Sequence, residues 1–228
     1  MTDVLERAYF DAVWAHTSET PEWIAARGDA VRRVLADLFG IERWTLNAEV
    51  PWEGDDAHLA DLVRARPVSE AMGVPDPEEG YGISLHGRGP SVTASIGIDA
   101  GTAWVGRRLP AHNADVEVFA APETPLPDGY EQAIIAALAE HFDALMVTQV
   151  DDQVVGTVRR GGWKIPAAGH RLWLHDTVGS ISTVAEGVTT TRLGNGTLLS
   201  VPDDWEPQQV VDATLRTLEL NGLDELPH

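Results

Sequence analysis

The chain is 228 residues long and sets 36 Asp plus Glu against 16 Lys plus Arg, a formal net charge of -20. So acidic a surface repels phosphate backbones and anionic lipid head groups, which argues against direct nucleic-acid binding and against peripheral membrane attachment. Cysteine is absent, which excludes disulfides and thiolate zinc sites, and no apolar run approaches the roughly 18 residues of a membrane helix. The best candidate basic patch, Arg159-Arg160 with Lys164, is small. Met1 to Glu6 lacks the basic-then-apolar order of a signal peptide, so the expectation is a soluble, cytoplasmic protein. Acids outnumber bases in every quarter of the chain, unlike a folded domain with a solvating tail. With 43% hydrophobic residues and eight Trp, the composition suits one folded unit over 1–228, with 1–125 and 126–228 as candidate halves.

Tyr9 to Ala15 is a short apolar run and reads as a first strand. A helix follows, with Thr20 as N-cap, Pro21 in its first position and Gly40 at its end. Its apolar stripe runs through Ile24, Val31, Leu35 and Leu38, and Arg27, Arg32 and Arg33 lie outside that stripe. A shorter helix spans Asp56 to Ala65. After a Pro-, Gly- and acid-rich loop over 67–80, strands are expected at Tyr81–Leu85, Val92–Ile98, Ala103–Leu109 and Asp115–Phe119. Asp128 is expected to cap a helix whose inner face is Tyr130, Ile134, Ile135, Leu138 and Phe142. Further strands are read at Leu145–Val150, Val154–Val158, Arg171–His175, Ile181–Ala185, Thr189–Leu193 and Thr197–Val201, with a hairpin turn at Gly194-Asn195. Pro207 opens a last helix that stops at Asn221-Gly222. The fold class is therefore α+β: largely antiparallel sheet, three to four flanking helices and two halves of similar order, without a residue-level repeat.

No arrangement of residues spells out a reaction. His170 and His175 are five apart in one strand and face opposite sides, and no His-x-x-x-His pair exists. Asp55-Asp56 and Asp151-Asp152 lack the spaced ligands of a calcium loop and are better read as caps and turns. Gly179-Ser180-Ile181-Ser182 lacks the closing glycine of a nucleophile elbow, and Gly87-Arg88-Gly89-Pro90-Ser91 lacks the lysine of a phosphate loop. The expectation is a non-enzymatic protein with no cofactor and no metal. An enzyme, a hydrolase with an unrecognised site, and a secretion-system adaptor remain the alternatives.

The charge points instead to a basic protein partner, drawn in by the field. Glu49-Val50-Pro51-Trp52-Glu53-Gly54-Asp55-Asp56 joins acids to an aromatic anchor, the mix expected of a contact surface. Glu49, Trp52, Glu53, Asp55 and Asp56, extended by Glu78 and Glu79, are the candidate partner-binding residues. A solvated loop whose Trp52 folds back onto the core is the competing expectation.

Val13-Trp14 in the opening strand, the long helix ending before Trp44, Gly162-Trp163 after a basic pair, and Gly196-Thr197-Leu198-Leu199 feeding a helix that ends Asn221-Gly222-Leu223 resemble the immunity protein 52 family of bacterial polymorphic toxin systems. Lys164-Ile165-Pro166 departs from the β-forming residues expected after the Gly-Trp step. The resemblance runs over nearly the whole chain. It implies an α+β protein encoded beside a secreted toxin, commonly a nuclease, which it binds and neutralises.

Overall fold

The structure, a computed structural model, describes residues 6–68, 76–106, 111–121, 124–150, 166–223 and 225–226. Its architecture follows from two alternating patterns. In β5 (Val92–Ala100), Val92, Ala94, Ile96, Ile98 and Ala100 are buried while the residues between them face outward, as in a half-buried antiparallel strand. β6 (Asn113–Ala120) buries Ala114, Val116, Val118 and Ala120 in the same way. With β1 (Glu6–Val13), β2 (Trp44–Leu46), β3 (Val50–Pro51), β4 (Tyr81–Arg88), β7 (Met146–Val150), β8 (Arg171–His175), β9 (Thr189–Leu193) and β10 (Gly196–Ser200), they form a ten-stranded antiparallel sheet in the order β3-β2-β4-β5-β6-β1-β7-β8-β10-β9. The described helices are α1 (Pro21–Phe39), α2 (Asp56–Arg64), α3 (Tyr130–His141) and α4 (Pro207–Leu220), so the class is α+β.

Helix α1 begins where its cap is strongest. Thr20 Oγ1 accepts from the Trp23 N–H at 3.3 Å, Pro21 fits the first turn, and Gly40 closes the other end at φ +64°, a left-handed conformation glycine adopts without strain. Three expectations are corrected. Residues 103–106 are irregular rather than the start of a strand, and the rest of that expected strand lies outside the described residues. Residues 181–185 are also irregular, because helix α4 takes their backbone donors: Ser182 and Thr183 N–H donate to Asn221 Oδ1 (2.8 and 3.1 Å), and Ala185 N–H to Thr217 Oγ1 (3.0 Å). Helix α3 has no side-chain cap from Asp128; Gly129, at φ +75°, stands at its N-cap instead. The expected strand at 154–158, Asp151-Asp152, Gly162-Trp163 and the basic patch of Arg159, Arg160 and Lys164 all lie outside the described residues.

The helices cover opposite faces in different parts of the sheet. Ile24, Val31 and Leu35 of α1 and Ile134, Ile135 and Leu138 of α3 join Phe10, Leu85, Ile96, Val116, Val147, Trp173 and Leu198 in one core. Val210, Val211 and Leu218 of α4 join a second core with Val13, Met146, Leu172, Leu174 and Leu199. Met146 and Val147, or Trp173 and Leu174, are sequence neighbours and point to opposite faces, so α4 lies across the sheet from α1 and α3. Each fully buried Leu or Ile contributes about 1.5–3 kcal/mol to this packing. The face that α4 covers over β7, β8 and β10 continues uncovered by any described helix over β4, β5, β6 and most of β1.

Candidate interaction surface

The structure disperses the seven sequence-predicted contact residues. Glu49 ends the turn joining β2 to β3, and Glu53, Asp55 and Asp56 are exposed at the start of α2. Asp55 is its N-cap, accepting from the His58 N–H at 2.9 Å. Glu78 and Glu79 sit in a short 3-10 turn beyond the other end of that helix, where Val68 N–H bonds the Gly80 carbonyl. The nine-residue α2, about 13 Å long at 1.5 Å per residue, therefore separates the two acid groups. The expectation of Trp52 as an exposed anchor is corrected. Its ring is 5% exposed, and its Nε1 donates to Asp29 Oδ1 at 3.2 Å. Asp29 also holds Arg32 (2.6 Å) and Arg33 (2.5 Å) on α1, so Trp52 closes the core against a satisfied carboxylate.

A different acidic surface emerges on the sheet face that no described helix covers. Ser84, Gly97, Asp115, Asp11 and Thr148 form one cross-strand row over β4, β5, β6, β1 and β7. Flanking rows place Gly82, Asp99 and Asn113 on one side and His86, Ser95, Glu117 and Tyr9 on the other, all on the same face. The glycines have a reason. A Cβ on Gly97 would collide with Asp115 Oδ1, and one on Gly82 would come within 3.0 Å of Asp99 Oδ1, so the carboxylates lie across bare backbone. Asp99 is exposed, and Asp11, Asp115 and Glu117 are half-buried. Glu117 pairs with Arg7.

The electrostatics of this face are unfavourable to its own charges. Burial, then the facing Asp115 charge, pushes the Asp11 carboxyl up to about 7, although a hydrogen bond from Asn113 opposes the shift. Burial, then the charges of Glu117 and Asp99, raises Asp115 to about 6 against the pull of the Gly97 N–H and Arg7. The Tyr9 hydroxyl is also raised, chiefly by burial. Like charges directly opposite across two strands destabilise a sheet. Sequence reasoning missed this site because each acid, taken alone, is an ordinary outward residue of an alternating strand. The available signal was Asp11, a carboxylate inside the apolar run Tyr9 to Ala15.

At the edge of the same region Glu19 is enclosed rather than opposed. Trp14 Nε1 donates to Oε1 (2.7 Å) and the Gly101 N–H to Oε2 (2.8 Å), while His16 Nδ1 lies 2.8 Å from Oε1 and His112 Nδ1 3.0 Å from Oε2. Burial alone would raise this carboxyl, but the bonds from His112, His16 and Trp14 outweigh it and hold the group well below the usual carboxylate range. Burial likewise opposes charge on His16, yet its bonds to Glu19 and to the Phe142 carbonyl raise its pKa. His112 is fully buried and its Nε2 lies 3.0 Å from the Trp104 carbonyl. Glu19 thus ties the loop before α1 to the loop after β5. With every oxygen engaged, it is built to fasten rather than to accept a substrate proton.

Among the described residues, no three His, Asp or Glu side chains are grouped to hold a metal ion, and no helix is long and apolar enough to cross a membrane. His170 and His175, read above as facing opposite sides, do not converge: His175 engages Thr177 (2.8 Å) and Asn195 (2.9 Å). No protein-family model matches the chain, and no curated protein matches it. Among solved structures it is similar to the Pseudomonas aeruginosa T6SS protein PA0821, with a TM-score of 0.46 and 11% sequence identity, covering 92% of this chain and 72% of that one.

Proposed function

We propose that this protein is an immunity protein: a non-enzymatic, cytoplasmic inhibitor that binds a cognate secreted toxin, most simply a nuclease, and neutralises it through an acidic interface. The observation that carries this reading is the sheet face that no described helix covers, where Asp11, Asp99, Asp115 and Glu117 stand in three adjoining cross-strand rows and Glu117 pairs with Arg7. A nuclease must attract phosphate, so its active surface is basic, and an acidic face competes for that field. The net charge of -20 extends the attraction over the molecule, and the sequence resemblance to the immunity protein 52 family points the same way. The six loop and turn acids identified from sequence, like Trp52, fall outside this face, and the role of those acids becomes long-range steering.

The test is co-expression in a bacterial host with the toxin encoded by the adjacent gene. The protein is expected to restore growth and to co-purify with the toxin as a stoichiometric complex. Asp115→Asn combined with Glu117→Gln is expected to lose protection while the fold persists. Absence of a complex, or full protection by that double variant, would overturn the reading.

A further inference from the structure

We propose that Asp11, Asp115 and Thr148 form a seat for an arginine side chain of the bound protein, a specific anchor within the acidic face that rests on the interface proposed above. Three independent features converge on this row. Asp11 and Asp115 are cross-strand partners, so two carboxyls stand side by side, about 5 Å apart at Cβ. Among the described residues neither forms an ion pair, and Arg7, whose charge is felt by Asp115, is paired with Glu117. The third feature is independent of charge. Thr148 is 1% exposed and its Oγ1 has no hydrogen-bond partner among the described residues, although the residue stands directly opposite Asp11 in the same row. Its Cγ2 is the arm turned to Gly169, on the side of β8. An orphaned buried hydroxyl is costly and uncommon in a folded protein.

A guanidinium answers all three. It is planar, permanently charged and carries five donors, enough for both carboxylates and for the threonine oxygen at once. Lysine offers a compact charge without that fork. Gly97 leaves the backbone of β5 bare beside Asp115, and Thr148 adjoins Leu172 of the second core, so the row is open at one end and walled at the other.

Protons report the occupancy. The groups facing the row are Tyr9 and Arg7 on β1, Asp99 on β5, Glu117 on β6, and Ser84 and His86 on β4; β7 contributes the Thr148 hydroxyl. Asp11 and Asp115 hold protons more tightly than ordinary carboxyls, so an arriving guanidinium at pH 6.5 expels a proton that is already gone at pH 8.5.

The full chain is titrated by calorimetry with an acetylated, amidated Gly-Arg-Gly-Arg-Gly peptide, at both pH values and in buffers of different ionisation heat. Binding is expected to release about one proton at pH 6.5 and little at pH 8.5. Asp115→Asn and Asp11→Asn should each weaken binding about tenfold. Asp55→Asn, the same charge change at a position where Asn also caps a helix, should change it less than twofold. Thr148→Val removes only the orphaned oxygen; it should weaken the peptide about threefold or more with no fall in thermal midpoint, which keeps the test valid if an Asp variant misfolds. The proposal is overturned if the Asp variants bind within twofold of Asp55→Asn, or if no proton is released at pH 6.5. Protection against the toxin is scored separately. Variants that lose the peptide yet still protect leave the seat standing and refute its use in the proposed interface. Variants that keep the peptide but lose protection refute the seat as the anchor.

Discussion

Glu19 meets Trp14, Gly101, His16 and His112 at once, so one substitution there releases two loops from the sheet. Glu19→Gln is expected to cost about 3 kcal/mol, the range for breaking a buried ion-pair network. The pH dependence has a definite direction. A carboxyl held below its unfolded pKa contributes stability that is present above the unfolded value and lost as pH falls through the folded one. His16, raised, contributes fully below its unfolded pKa and loses that contribution as pH rises through the folded value. Urea melts from pH 3 to 8 should therefore show a steep acid limb in the wild type and a shallower one in Glu19→Gln. Trp52 makes a second case. The acidic stretch around it looked like a contact loop in the sequence, because an isolated Trp among acids carries no periodicity to assign it inward. Its actual partner, Asp29, lies on a helix 23 residues earlier. Trp52→Ala is expected to lower stability by about 3–5 kcal/mol in chemical denaturation, the cost of truncating a buried Trp.

At the scale of elements, helix ends and alternating strands were legible because their causes are local. The Thr20 cap, Pro21, Gly40 and the alternation from Val92 to Ile98 each act within a few residues. The failures have distant causes. Ile181, Thr183 and Val184 favour strands, yet their segment is irregular because Asn221 and Thr217, more than 30 residues away, hold its backbone donors. The acidic row was illegible for the same reason, since it draws one residue from each of several strands and exists only once their order is known. Two glycines in one hairpin separate local from distant constraint. At Gly194 nothing lies within 4 Å of an added Cβ, but φ is +58°; at Gly196 the Cβ would strike the Leu174 carbonyl and the Trp173 ring. Gly194→Ala is expected to cost about 1 kcal/mol through backbone strain alone. Gly196→Ala should cost about 2–3 kcal/mol by forcing β8 and β10 apart, and thermal melts of the pair should rank them in that order.

For the whole molecule, a charge of -20 governs encounter more than grip. Association with a basic partner is expected to slow at least tenfold between roughly 20 mM and 500 mM salt, while dissociation changes severalfold less. Stopped-flow rates at several ionic strengths check this, and a flat association rate would remove steering from the account. The sheet order has a temporal consequence as well. Strand β1 precedes the other described strands in the chain but lies between β6 and β7, with Phe10 opposite Val116 and Gln149. The emerging chain therefore carries Phe10 without its strand partners until more than a hundred residues have followed. Closing such a long loop before its contacts can reward it makes folding slow. The opening strand is then the piece most in need of protection during synthesis.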